Sequence, residues 1–268
     1  MKRFATLVCL IALLSSSLMR AQDFRPLAIS QARMRSVIST FSQNTPEFTA
    51  VLSYQVFTTQ GVPTTQMMSD IRMTKDDMRI DLLVMSMSQI PTEQRALMKS
   101  LRMDKLILQT SISEKKMYLA YPGIQAFQDF PITEETLNEI TTRSQAASIQ
   151  KKVLGQETVN GYQCMKTLVE VTESNRPPEK ALVWFASDLH EFPVMFHMGK
   201  NGLLEVIEFK NVQLVSPNPA LFKVPTNYIR LEDTAAAFRL AKERLASMGR
   251  PFAPPVGDGN VIPAEKQR

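Results

Sequence analysis

Cysteine and histidine are scarce in this chain of 268 residues, with two of each. Cys9 falls within an apolar N-terminal stretch, too early to serve as a lipid-attachment cysteine. Its loss with that stretch would leave Cys164 as a lone thiol. A lone thiol closes no internal disulfide, so the fold must stand on its apolar core. Cys164 lies among strand-forming residues and reads as a small buried side chain, not a reactive one. Several motifs are missing too: Gly-x-Ser-x-Gly, Cys-x-x-Cys, His-Glu-x-x-His and a Gly-rich phosphate loop. Their absence removes the usual signatures of serine hydrolases, thiol redox enzymes, zinc proteases and nucleotide binders. Beyond the N-terminus no apolar run approaches the roughly 20 residues that span a bilayer, so no transmembrane segment is expected in the mature chain.

Positive charge is also less abundant than the formal +5 suggests. Lys2 and Arg3 precede an apolar run from Phe4 to Leu14, followed by Ser15, Ser16 and Ser17, with Ala21 as the last residue removed. That is the layout of a cleavable signal peptide, and mature protein is expected to begin between residues 18 and 23. Removal of residues 1–21 takes Lys2, Arg3 and Arg20 and no acid, leaving +2. A balance so near neutral gives no reason to expect a nucleic-acid partner. The chain is expected in the periplasm or secreted.

What the chain does have is apolar periodicity. An apolar fraction of 44 % supplies a sizeable core. Ile29, Ala32, Val37, Ile38 and Phe41 form a helical stripe that ends before Pro46. From Phe48 the period becomes two, with Phe48, Ala50, Leu52, Tyr54 and Val56 on one side. Gly61-Val62-Pro63 turns into a strand carrying Met67, Ser69, Ile71 and Met73 on one face. Lys75-Asp76-Asp77 then turns into Met78, Ile80, Leu82 and Val84. Such short connections favour adjacent antiparallel strands.

Pro91-Thr92-Glu93 opens a helix whose expected buried side is Leu97, Met98 and Leu101, extending to Leu106. Arg95, Lys99 and Arg102 form a basic stripe along it, which reads first as a solvated face and second as an anionic-lipid contact. Leu106–Ile112 and Met117–Tyr121 pair as a hairpin, and a second helix is expected from Thr133 to about Gln150. From Val153 to Ile229, short apolar runs are separated by Asn-Gly, Arg-Pro-Pro, Lys-Asn-Gly and Ser-Pro-Asn-Pro, a meander forming half of a sheet. A last helix is capped by Asp233 or Thr234, with Phe238, Ala241, Leu245 and Met248 on its apolar face and Gly249 beyond it. The expected organisation is therefore a signal peptide at 1–21 and a main domain at 22–232. A C-terminal helix at 233–249 and a disordered Pro/Gly-rich tail at 250–268 complete it.

The strings SDIRMTKDDMRIDLLVM and LGQETVNGYQCMKTLVEV resemble the secreted LolA-like superfamily, and most closely its bacterial members grouped as a domain of unknown function. ALVWFASDLHEFPVMF resembles that family's Trp-bearing strand, polar turn and Pro-containing strand. NPALFKVPTNY resembles its closing Phe-x-Val-Pro segment, and the likeness runs over about residues 30–230. The resemblance implies an α+β fold: an antiparallel half-barrel, a curved sheet with helices covering its concave face. It also implies a cavity for lipid or for a lipoprotein's acyl chain, with an envelope protein as a further partner. Two features depart from the family pattern: no arginine aligns with the one that pins the lid in true carriers, and a helix and tail follow the half-barrel.

Leu52, Tyr54, Ile71, Met73, Ile80 and Leu82 are the residues expected to line that cavity, because period two places them on one face. Sixteen methionines suit a core, or a cavity lining that repacks around varied chains. Copper ligation is the lesser reading of the methionines, since they alternate along strands instead of clustering with His or Cys. His190, between Asp188 and Glu191, reads as part of a polar turn instead of a metal or acid–base group. Trp184 reads as core. No catalytic residue, metal or cofactor is expected. The function that follows is binding of an apolar ligand, and the alternative is an envelope structural protein whose core is filled by its own side chains.

Overall fold

The computed structural model describes residues 34–35, 37–42, 47–88, 90–138, 148–172, 178–200 and 202–247. The expected signal peptide and the tail at 250–268 lie outside the described residues, as do Met248 and Gly249.

Among the described residues, twelve strands make one sheet. They are β1 Phe48–Thr58, β2 Pro63–Met73, β3 Asp77–Leu83, β4 Lys105–Ser111, β5 Lys116–Tyr121, β6 Ala126–Pro131, β7 Ser148–Val159, β8 Tyr162–Thr172, β9 Glu179–Ala186, β10 Phe192–Lys200, β11 Leu203–Gln213 and β12 Ile229–Arg230. The order across the sheet is β12-β6-β5-β4-β3-β2-β1-β11-β10-β9-β8-β7. Two meanders, β1–β6 and β7–β11, are thus sewn together by the antiparallel pairing of β1 with β11. Every pairing is antiparallel except the short parallel one between β12 and β6. The described strand order does not return on itself, so the sheet is open.

Alternation decides which way each strand faces. In β1, Phe48, Ala50, Leu52, Tyr54 and Val56 are buried, as are Met67, Ser69, Ile71 and Met73 in β2. Between β7 and β8 the hairpin closes on Asn160-Gly161, with Val159 opposite Tyr162. Both loop residues have positive φ, 53° and 86°, which a two-residue turn of type I′ requires.

Helices are few. Residues 34–35 and 37–41 are helical (α1). They are followed by α2, Thr92–Ser100, by α3 over 134–138, and by α4, Thr234–Ser247. Asp233 caps α4, its Oδ1 accepting from Ala236 N at 2.6 Å.

The structure departs from expectation at four places. The helix expected to end near Gln150 does not reach it, because Ser148, Ile149 and Gln150 already belong to β7, paired with Thr172, Val171 and Glu170. Cross-strand partners distant in sequence outweigh local helix preference there. β6 was not anticipated as a strand at all. Leu97 was expected on the buried side of α2, yet it is exposed while Met98 and Leu101 are buried. The apolar face of α4 is also narrower than expected. Ala237 and Ala241 are buried, Phe238 is only partly so, and Leu245 is exposed.

Candidate functional site

The register stacks the inward residues into rows that run across the strands. One row is Phe48, Met73, Met78, Thr110, Met117 and Phe130, from β1 to β6. The next is Ala50, Ile71, Ile80, Leu108, Leu119 and Gln128. A third joins Phe209, Leu52, Ser69, Leu82 and Leu106, and a fourth joins Val183, Phe196, Ile207, Tyr54 and Met67. The six residues singled out in the sequence all lie in these rows and belong to one hydrophobic cluster, at 0–3 % exposure.

Phe48, Phe192, Phe196 and Phe209 meet on this face in edge or T-shaped contacts. The Phe48 and Phe192 ring centres are 4.9 Å apart. α1 joins them: Phe41 packs on Phe196 at 5.3 Å, and Met34 and Ile38 enter the same cluster. Arg35 fastens this helix to the turn between β2 and β3. Its Nη2 donates to Thr74 O at 3.1 Å and also to Lys75 O. Burial pushes the guanidinium down to about 10, against the pull of Asp76 and Asp77, so it is still a cation at neutral pH. The sequence reading missed Arg35. Its signal, a basic residue inside the apolar stripe of a helix, was available.

Not every inward group is apolar. The Tyr54 hydroxyl and the Ser69 Oγ are buried and have no hydrogen-bond partner among the described residues, as are Thr110 Oγ1 and Gln128 Nε2. Glu205 is buried on the same face, in register with Val56 one inward step from Tyr54. Burial raises the Tyr54 phenol far above its ordinary value and the Glu205 charge raises it further, so it remains a neutral donor.

The outer face is built differently. The Asp81 carboxylate, largely buried, lies 2.6 Å from Arg79 Nε, 3.3 Å from Arg72 Nη1 and 3.9 Å from Lys105 Nζ. Arg79 Nη1 also donates to Leu221 O, and Gln109 Nε2 to Phe222 O, so the segment after β11 is tied across the outside of β3 and β4. Beside it opens a cleft of about 510 Å³ lined by Tyr118, Phe127, Asp129, Phe222, Lys223 and Arg230, with Glu114, Lys116 and Val224. Its charges are mostly spent on one another. Tyr118 donates to Glu114 Oε2, and Asp129 takes Lys116 at 3.1 Å and Arg230 at 2.5 Å. For Asp129, burial pushes the carboxyl up, but the two cations together outweigh it and hold it below the ordinary range.

Trp184 is buried yet lies on this outer side, in register with Lys166 and Met195. Its Nε1 donates to Glu157 Oε2 at 2.8 Å, and the His197 ring sits 4.6 Å away. Burial lowers the His197 pKa, and Lys166 lowers it further. His190 occupies the turn between β9 and β10 in the left-handed conformation, φ 53°. Cys164 is free and buried, and burial raises its thiol. Among the described residues no group of His, Cys, Asp or Glu is placed to hold a metal ion. No helix among them is long and apolar enough to cross a membrane.

Residues 55–205 match the family described as a domain of unknown function, DUF4412, and the chain belongs to that family. No curated protein matches it. Among solved structures it aligns with the Mycobacterium tuberculosis lipoprotein LppX at 10 % identity and a TM-score of 0.41, covering 72 % of this chain and 98 % of that one. LprF from Mycobacterium bovis aligns at 12 % identity and 0.38, covering 72 % and 97 %. A LolA superfamily protein from Nitrosomonas europaea aligns at 10 % and 0.33, also covering 72 % and 97 %.

Proposed function

We propose that this is an exported, non-enzymatic protein that binds an apolar ligand, a lipid or a lipoprotein's acyl chain, against the inner face of a curved sheet. The carrying observation is the convergence of aromatic rings on that face. β1 and β10 are separated by β11, so in a flat sheet they would stand roughly 10 Å apart. The ring centres of Phe48 and Phe192 are nevertheless 4.9 Å apart. Such convergence supports a sheet bent toward its apolar side, a half-barrel with α1 across its concavity. Leu52, Tyr54, Ile71, Met73, Ile80 and Leu82 would then form the lining, with burial of acyl surface contributing ~25 cal/mol per Å². Entry requires the helix to swing away, and the polar contacts of Arg35 to the β2–β3 turn are what such a lid would break.

The low exposure of those six residues favours the second reading, a core filled by its own side chains in an envelope structural protein that engages another protein. Replacement of Ile71 or Leu82 with Trp separates the two. With an opening concavity, the variant folds with little loss and takes up less fluorescent fatty acid than the wild type. With a self-filled core it loses about 1–3 kcal/mol, and the wild type binds no probe. Mass spectrometry of lipids retained on protein purified from its exported compartment would identify the ligand.

A further inference from the structure

The inner face is not uniformly greasy: Thr110 and Gln128 interrupt it on β4 and β6, and Tyr54, Ser69 and Glu205 do so together where β2, β1 and β11 meet. Leu52 pairs with Ser69 and Tyr54 with Met67, so the Tyr54 and Ser69 side chains are diagonal neighbours across β1 and β2. Val56 pairs with Glu205, which places that carboxyl diagonally on the other flank of Tyr54. Among the described residues neither hydroxyl has a hydrogen-bond partner, although each is buried. Buried donors are ordinarily satisfied, so two adjacent orphans in an apolar surface call for an acceptor from outside the chain. Water alone would be served by either. An amphiphile whose chain lies along the apolar rows presents an acceptor where the rows are interrupted.

We propose that Tyr54 and Ser69 form a polar subsite that donates hydrogen bonds to the carbonyl oxygens of an esterified acyl chain, and that Glu205 beside them disfavours a free carboxylate. This rests on the apolar-ligand reading above and adds the chemistry of the head group to it. An ester carbonyl accepts two donors and carries no charge, so it suits two hydroxyls next to an acid. A fatty-acid anion accepts equally well but brings like charge toward Glu205 in a poorly solvated place. The raised phenol pKa of Tyr54 agrees with a hydroxyl that donates at all working pH values.

Three probes with one pyrene-labelled chain test this: the hydrocarbon, the free acid and its glycerol monoester, titrated against the full-length protein at pH 8. The monoester is expected to bind about tenfold more tightly than the acid or the hydrocarbon. Tyr54→Phe and Ser69→Ala should each weaken the monoester about five- to tenfold more than they weaken the hydrocarbon. Neither should lower the melting temperature, since each removes a hydroxyl that has no partner among the described residues. Glu205→Gln should improve the acid selectively. Binding of the hydrocarbon with no preference for the monoester, or a monoester affinity indifferent to Tyr54→Phe, overturns the subsite and leaves the apolar-ligand reading standing. If the wild type binds none of the three, that reading falls and the subsite falls with it.

Discussion

On the outer face Asp81 has three basic neighbours, and Asp129 is shared between Lys116 and Arg230. On the inner face of the same sheet, the hydroxyls of Tyr54 and Ser69 meet no partner among the described residues. Outside, charges lie at the sheet surface, and Arg79 and Gln109 donate to backbone carbonyls of the strap carrying Leu221 and Phe222. Inside, an unpaired buried hydroxyl costs about 1–3 kcal/mol, which an apolar residue of the same size would avoid. One sheet thus pairs the outer carboxylates of Asp81 and Asp129 and leaves the inner hydroxyls of Tyr54 and Ser69 without a partner among the described residues. Alternation in the sequence assigns the two sets to opposite faces, but which polar groups find partners is not written in it.

The inner face should dominate stability. Phe209 is buried and touches Phe48, Phe192 and Phe196, so Phe209→Ala removes the shared centre of that cluster. A loss of about 3–5 kcal/mol in urea unfolding is expected. A loss under about 1 kcal/mol would mean that the rings do not hold the two meanders together. Far less is expected from the paired outer face, where Lys105→Ala removes the longest and most exposed of the Asp81 contacts at 3.9 Å. That change should cost about 0–1 kcal/mol, and less at high salt.

Acid should act on the outer face first. The Asp129 carboxyl is held below its ordinary 3.8 in the fold, so the folded state prefers it ionised. Its contribution is fully present above that ordinary value and is lost as the pH falls through the lower folded one. Hydrogen exchange at Ile229 and Leu231, whose amides donate to Gln125 and Phe127, should therefore quicken below about pH 4. Asp129→Asn should quicken it already at neutral pH and flatten the acid response. An unchanged acid response in that variant would assign the effect to another carboxylate.

The period-two runs placed β1, β2 and β3 and their inward residues with no structural help, because a strand with one buried face writes its orientation into every second residue. β7 was harder. Ile149 is only partly buried and Lys151 is exposed, and their strand state comes from pairing with Val171 and Val169, which no local pattern announces. The same limit explains Leu97. Helical spacing put it on the apolar side, but Met98 and Leu101 alone cover that contact. Of the candidate site, the shared face of the six apolar residues was legible and the contacts of Arg35 were not, since its acceptors are backbone carbonyls of a turn 39 and 40 residues away.

The smallest expected effect lies where the outer face is least like itself, at Trp184 and His197. Trp184 is the only tryptophan in the chain, so its fluorescence reports this place alone. The two ring centres are 4.6 Å apart, close enough for an imidazolium to quench the indole where a neutral imidazole does so weakly. Burial and then Lys166 lower the histidine's pKa, while Glu157 and Glu208 pull against them. The folded state therefore prefers the neutral ring. Its destabilising influence is absent above the ordinary 6.5 and grows as the pH falls through the lower folded value. Fluorescence should stay constant from pH 8 to about 6.5 and drop below it. Stability should decline by no more than a few tenths of a kcal/mol across the same window, as expected for a half-exposed group. His197→Phe should abolish the fluorescence step and leave the melting temperature almost unchanged. A midpoint above 6.5 would instead mean that Glu157 and Glu208 govern the ring, and that acid pairing extends across the whole outer surface.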